Sequence, residues 1–208
     1  MLGRLIWVIF GEITVGMSNI PIEAGKFYHF YNRTNNNELL FREEKNYSYF
    51  LKLMGKYILP VADIYAYCLL PDHFHIVGRI KEEHELPDKY RMQPYRAFSH
   101  LFNAYTKAYN RMYNRYGSLF QKNFKRIEIK DERYLQNLII YIDTNADHHG
   151  IPYTGVYLYS SLLDNIGIRN GLTDRKAVIE LFEELKNYVY MIKTKKNMIH
   201  MSQDLLFE

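Results

Sequence analysis

Apolar residues recur along this chain with two different periods. At 26–33, KFYHFYNR crowds aromatic side chains into a short run, which predicts a β-strand. The polar residues at 34–38 read as a loop. From 45 to 59 (KNYSYFLKLMGKYIL) the period changes: Tyr47, Phe50, Leu51, Met54 and Ile58 fall at the spacing of an amphipathic helix. Two strands follow, ADIYAYCLL at 62–70 and HFHIVGRI at 73–80, with only Pro71 and Asp72 between them as a hairpin turn. Beyond a charged loop, 94–116 carries Phe98, Leu101, Phe102, Tyr105, Tyr109 and Met112 at helical spacing, and Gly117 supplies a stop. FKRIEIK at 124–130 alternates as a strand does, and a helix is predicted over 131–146. The tail from Ile151 contains one more helix, over 174–193.

The element order is therefore β-α-β-β-α-β followed by helices. It predicts an α+β fold: a ferredoxin-like βαββαβ antiparallel sheet with helices on one face, plus a C-terminal helical extension. The chain divides into an N-terminal extension at 1–25, a main domain at 26–150 and the extension at 151–208.

Composition narrows the class. At 208 residues and 48% hydrophobic, the chain can bury a core without staples. Its one cysteine, Cys68, excludes an intrachain disulfide, and a reducing cytoplasm is the expected compartment. The apolar run LIWVIF near the N-terminus is too short to span a bilayer and makes a poor signal peptide, so no membrane partner is expected. Met17 is an alternative start. A net charge of +4 permits a polyanionic partner, and 20 Tyr with 12 Phe offer stacking faces for unpaired bases. A tyrosine-rich core explains the same composition equally well.

Two features carry chemistry. In a strand, residues two apart share a face, so His73 and His75 present paired imidazoles, with Phe74 and Ile76 turned towards the helices. Neutral imidazole is a common metal ligand. An isolated His-x-His also suits one solvated and one packed histidine, and a zinc site lacks a Cys cluster or a third histidine at local spacing. His84 reads as solvated, and His29 lies on another strand. On the 131–146 helix, Tyr141 falls at the edge of the stripe made by Leu135, Leu138, Ile139 and Ile142. Asn145 follows it on nearly the same line, with Tyr134 and His148 close by. Taken alone, a helical tyrosine is most often core or rim.

The run AYCLLPDHFHIVGRI, followed in order by GSLFQKNFKRIEI (117–129) and YLQNLIIYIDTNADHHG (134–150), resembles the single-tyrosine HUH-type transposases of small insertion sequences, including the REP-associated tyrosine transposases. The resemblance covers about 26–165, including KFYHFYNR and YLYSS. It implies a DNA transposase that cleaves and rejoins single-stranded or hairpin DNA through a 5′-phosphotyrosine, with 26–150 as the catalytic domain. It implies His73, His75 and Asn145 as ligands for Mg²⁺ or Mn²⁺, Tyr141 as the nucleophile, and a homodimer as one assembly. Asp72 stands where an Asn commonly precedes the first histidine, and Ala146 where a Pro often follows the Asn. Arg33, Arg79, Lys122, Lys125 and Arg126 are candidate DNA contacts, against the plainer reading of solvated charges. A noncatalytic single-strand-binding relative is the alternative function. A replication initiator or conjugative relaxase shares the chemistry but matches the later motifs less well.

Overall fold

A computed structural model of the chain describes residues 20–35, 38–122 and 124–204. The apolar run LIWVIF and Met17 lie outside the described residues. Four strands form one antiparallel sheet in the order β2-β3-β1-β4: β1 (Phe27–Arg33), β2 (Ala62–Leu70), β3 (His73–Ile80) and β4 (Lys125–Ile129). Between them run α1 (Glu44–Tyr57), the short α2 (Asp88–Arg91) and α3 (Tyr95–Met112). After β4 come α4 (Glu132–Asp143), α5 (Asn145–His148), α6 (Leu162–Asn165), α7 (Arg175–Leu181) and α8 (Leu185–Asp204). No helix among the described residues is long and apolar enough to cross a membrane.

Strand alternation sorts the side chains onto two faces. Tyr28, Phe30, Phe74, Ile76 and Ile80 point to one, where they pack with Phe50 and Met54 of α1 and with Phe98, Leu101 and Tyr105 of α3. On the opposite face, Val77 and Ile129 join Leu135, Leu138, Ile139 and Ile142 of α4. Helices therefore cover both faces, a correction to the one-faced arrangement expected from the element order. Strand β2 contributes apolar residues to both faces. A bulge between Ile64 and Ala66 shifts its register against β3, so Ala62, Ile64, Tyr67 and Leu69 serve the first core while Tyr65, Ala66, Cys68 and Leu70 serve the second. That second apolar surface is sealed by α4 and by Tyr157, Leu162, Val178, Phe182, Tyr188 and Ile192 of the tail. Gly78 sits opposite the bulge, where a Cβ would come within 2.8 Å of the Asp63 carbonyl oxygen.

Three predicted helices end or break early. α3 stops at Met112, because Asn114 takes a left-handed conformation (φ 48°). The tail helix divides at Glu183, which is also left-handed (φ 65°). The helix expected over 131–146 ends at Asp143. Thr144 leaves the helical region (φ −106°, ψ 12°), its hydroxyl donating back to the Ile140 carbonyl at 2.8 Å. Asn145 thus opens a separate turn.

Candidate functional site

The histidine face of β3 is where the chemistry collects. His73, His75, Val77 and Arg79 alternate onto the face that α4 covers, and β1 adds His29, Tyr31 and Arg33 from the adjacent strand. The register sets Tyr31 opposite His75 and Arg33 opposite His73. Tyr141 reaches this face from α4, its ring 6.5 Å from that of His75 and nearly perpendicular to it. The hydrophobic stripe of α4 is buried as its spacing predicts, which leaves Tyr141 half-buried at the rim.

Both β3 histidines are held at Nδ1. His73 Nδ1 lies 2.7 Å from Asp72 Oδ1. The Asp72 carboxyl is held below its usual range by that hydrogen bond. His75 Nδ1 lies 2.9 Å from Nε2 of His29, which is buried. Withdrawal from water pushes the His29 ring down to about 3, and the same effect, aided by the neighbouring imidazoles, holds His75 well below the ordinary histidine range. These two rings are therefore neutral at pH 7.

Asn145 is fully buried, and neither atom of its side-chain amide completes a well-directed hydrogen bond. The amide still approaches Tyr141 closely enough to favour its ionised form. Burial outweighs that contribution and raises the phenol above its usual pKa. The continuous helical line expected from Tyr141 to Asn145 does not form, because Thr144 interrupts it, but the short turn returns the amide to the tyrosine. His148 also packs on Tyr141, with ring centroids 4.9 Å apart, and its Nε2 is buried without a hydrogen-bond partner. Burial lowers this ring to about 4, so it too is neutral at pH 7. The ring of His149 lies 4.8 Å from that of His73.

Among the described residues, no group of three or more His, Cys, Asp or Glu side chains converges to hold an ion. Two imidazoles and an amide form a different donor set. The buried, unsatisfied amide of Asn145 is the kind of group a ligand would satisfy, and the Nδ1 contacts of His73 and His75 reserve Nε2 of each ring for another partner.

The five basic candidates separate. Arg33 and Lys125 belong to the histidine face, and Lys125 Nζ lies 6.0 Å from the Tyr31 ring centroid. Lys122 and Arg126 line a groove with Tyr95, Phe102 and Asn103 on the α3 side of the sheet, away from Tyr141. Arg79 is tied to Glu82 by a short ion pair. His84 is exposed, as its charged neighbours imply. The approach of His29 to His75 is not legible from neighbouring residues. Its position shares strand parity with Arg33, but only the β1–β3 register brings it to His75.

No protein-family model and no curated protein sequence matches the chain. A solved structure of the REP associates tyrosine transposase bound to a REP hairpin is similar to it, with 16% identity over 71% of this chain and 82% of that chain, and a TM-score of 0.48. The likeness is a distant one.

Proposed function

We propose that this protein is a DNA strand-cleaving and -joining enzyme of the tyrosine transposase type, built on a ferredoxin-like sheet. Read from the other edge, the strand order β4-β1-β3-β2 is that of two interlocked βαβ units, which supports the fold assignment. The observation that carries the functional reading is the juxtaposition of Tyr141, the His73–His75 pair and the unsatisfied buried amide of Asn145 on one sheet face.

In this reading Tyr141 Oη attacks a backbone phosphorus of single-stranded DNA. A phosphotyrosine bond forms, the bond to the 3′ oxygen breaks, and the departing strand takes a proton to end in a 3′-hydroxyl. The reverse attack by a 3′-hydroxyl rejoins strands without a nucleotide cofactor. Raised above its usual pKa, the phenol needs an acceptor for its proton, and His148, whose ring packs on that of Tyr141, is the group we assign. His73, His75 and Asn145 would hold Mg²⁺ or Mn²⁺, which when bound offsets the charge on the phosphate oxygens. Arg33 and Lys125 position the DNA backbone. Residues 26–150 form the catalytic unit, and the tail buttresses α4.

The test is incubation with labelled single-stranded hairpin DNA and Mn²⁺ or Mg²⁺. Wild-type protein should form a covalent adduct that Tyr141→Phe abolishes. An adduct undiminished in Tyr141→Phe would overturn the nucleophile assignment. Tight binding with no adduct under any metal would instead identify a noncatalytic single-strand-binding protein.

A further inference from the structure

The contact between His29 and His75 has a consequence for the metal donor set. A hydrogen bond between two neutral imidazoles uses one N–H and one lone pair. If His29 Nε2 donated, His75 would carry its proton on Nε2 and could offer no lone pair there. If His75 Nδ1 donates, its Nε2 is free of a proton and its lone pair points away from His29. Only the second arrangement lets His75 act as a ligand while keeping the 2.9 Å contact.

We infer that His29 is a positioning residue that accepts the Nδ1 proton of His75 and so turns the unprotonated Nε2 of His75 to the site. Its surroundings suit that role. His29 is buried on β1 and stacks against Tyr31 with ring centroids 4.9 Å apart. Its ring lies 5.1 Å from that of His75 with 28° between planes, close to the in-plane approach that an N–H···N hydrogen bond needs. Asp72 performs the corresponding service for His73. The two ligand candidates of β3 are thus supported from different elements, one by the hairpin turn and one by the neighbouring strand. Outer partners of this kind orient a metal-binding imidazole and set its tautomer. The inference concerns the site assigned under the proposed function and rests on that reading only for the identity of the ligand that His75 meets.

Nitrogen NMR of the metal-free protein reads the tautomer directly. Wild-type His75 should carry its proton on Nδ1. His29→Phe, which keeps an aromatic ring but offers no acceptor, should move the proton of His75 to Nε2, the tautomer free imidazole side chains prefer. His29→Gln places an amide oxygen where the imidazole nitrogen was and should restore the wild-type tautomer. Titration of the metal-free proteins with Mn²⁺ alone, followed by electron paramagnetic resonance, should show affinity about 10- to 100-fold weaker for His29→Phe, with recovery in His29→Gln. A wild-type His75 protonated on Nε2 would overturn the proposal, as would a His29→Phe variant with unaltered tautomer or unaltered Mn²⁺ affinity. Wild-type protein that shows the Nδ1–H tautomer but binds no Mn²⁺ would sink the metal reading of the site and leave the positioning of His75 standing. Should His29→Phe fail to fold, wild type still decides the matter: absence of the Nδ1–H tautomer there refutes it.

Discussion

His73 Nδ1 and Asp72 Oδ1 lie 2.7 Å apart, so the residue that closes the β2–β3 hairpin also orients the first histidine of the pair. A carboxylate at this position accepts the Nδ1 proton and raises the basicity of Nε2. Asp72→Ala should therefore weaken Mn²⁺ binding about 10-fold or more, and Asp72→Asn, which keeps an acceptor oxygen, should recover most of it. Calorimetric titration of the three proteins checks this; equal affinities would exclude a supporting role for Asp72.

Asn145 makes the opposite kind of prediction, one in which function and stability part. A buried amide with unmade hydrogen bonds carries a desolvation cost of about 1–3 kcal/mol, and both side-chain polar atoms of Asn145 are in that state. Asn145→Ala should unfold in urea at a midpoint no lower than wild type, while its Mn²⁺ affinity and adduct formation fall sharply. A large loss of stability with unchanged metal binding would mark Asn145 as structural.

His148→Phe preserves an aromatic ring against Tyr141 and removes the proton acceptor. Adduct formation should slow by about 100-fold at pH 7, with DNA affinity retained. Because the Tyr141 phenol is raised, the variant's rate should climb more steeply than that of wild type as the pH rises and hydroxide replaces the missing base. Single-turnover rates across a pH series decide it, and parallel profiles would remove His148 from the mechanism.

Asp143 predicts a pH dependence of stability. Its carboxylate accepts hydrogen bonds from Ser161, Asn165 (3.0 Å) and Tyr188 (2.6 Å), joining α4 to α6 and α8. These donors favour the charged form, yet complete burial wins and raises the group from 3.8 to about 7. An acid raised on folding binds more protons in the native state than in the unfolded one. Its contribution is therefore fully present below the unfolded value and is lost as the pH rises towards the folded one. Between about pH 4 and pH 7, wild type should lose on the order of 4 kcal/mol relative to Asp143→Asn through this group. Urea unfolding of both proteins across that range measures the difference, and a constant gap would contradict it.

The basic residues predict a graded salt response. Lys125→Ala should reduce single-strand affinity and lower the slope of log K against log salt by about 0.7, since Lys125 lies beside Tyr31 on the histidine face. Arg79→Ala should change neither, because Glu82 already neutralises it. Filter binding at several salt concentrations separates them, and equal slopes for all three proteins would take Lys125 off the DNA path.

Local chemistry was enough to write down the four strands, the longer helices that join them and which side chains of a strand share a face. Period-two alternation made His73 and His75 share a face, and period-three-to-four spacing put Leu135, Leu138, Ile139 and Ile142 in the core with Tyr141 at the rim; both depend on backbone geometry within a few residues. The break at Thr144, the bulge in β2 and the left-handed Glu183 were not legible, because each is a local departure made tolerable by packing from distant segments. Tertiary structure alone decided which residues complete the site. The β1–β3 register brought His29 to His75 across a loop, a helix and a strand, and the tail after Ile151 returned to seal the second apolar face. Contacts between residues far apart in the chain are set by how two buried faces must close. One imidazole pair could be read from its own spacing; the histidine that meets it from the neighbouring strand could not.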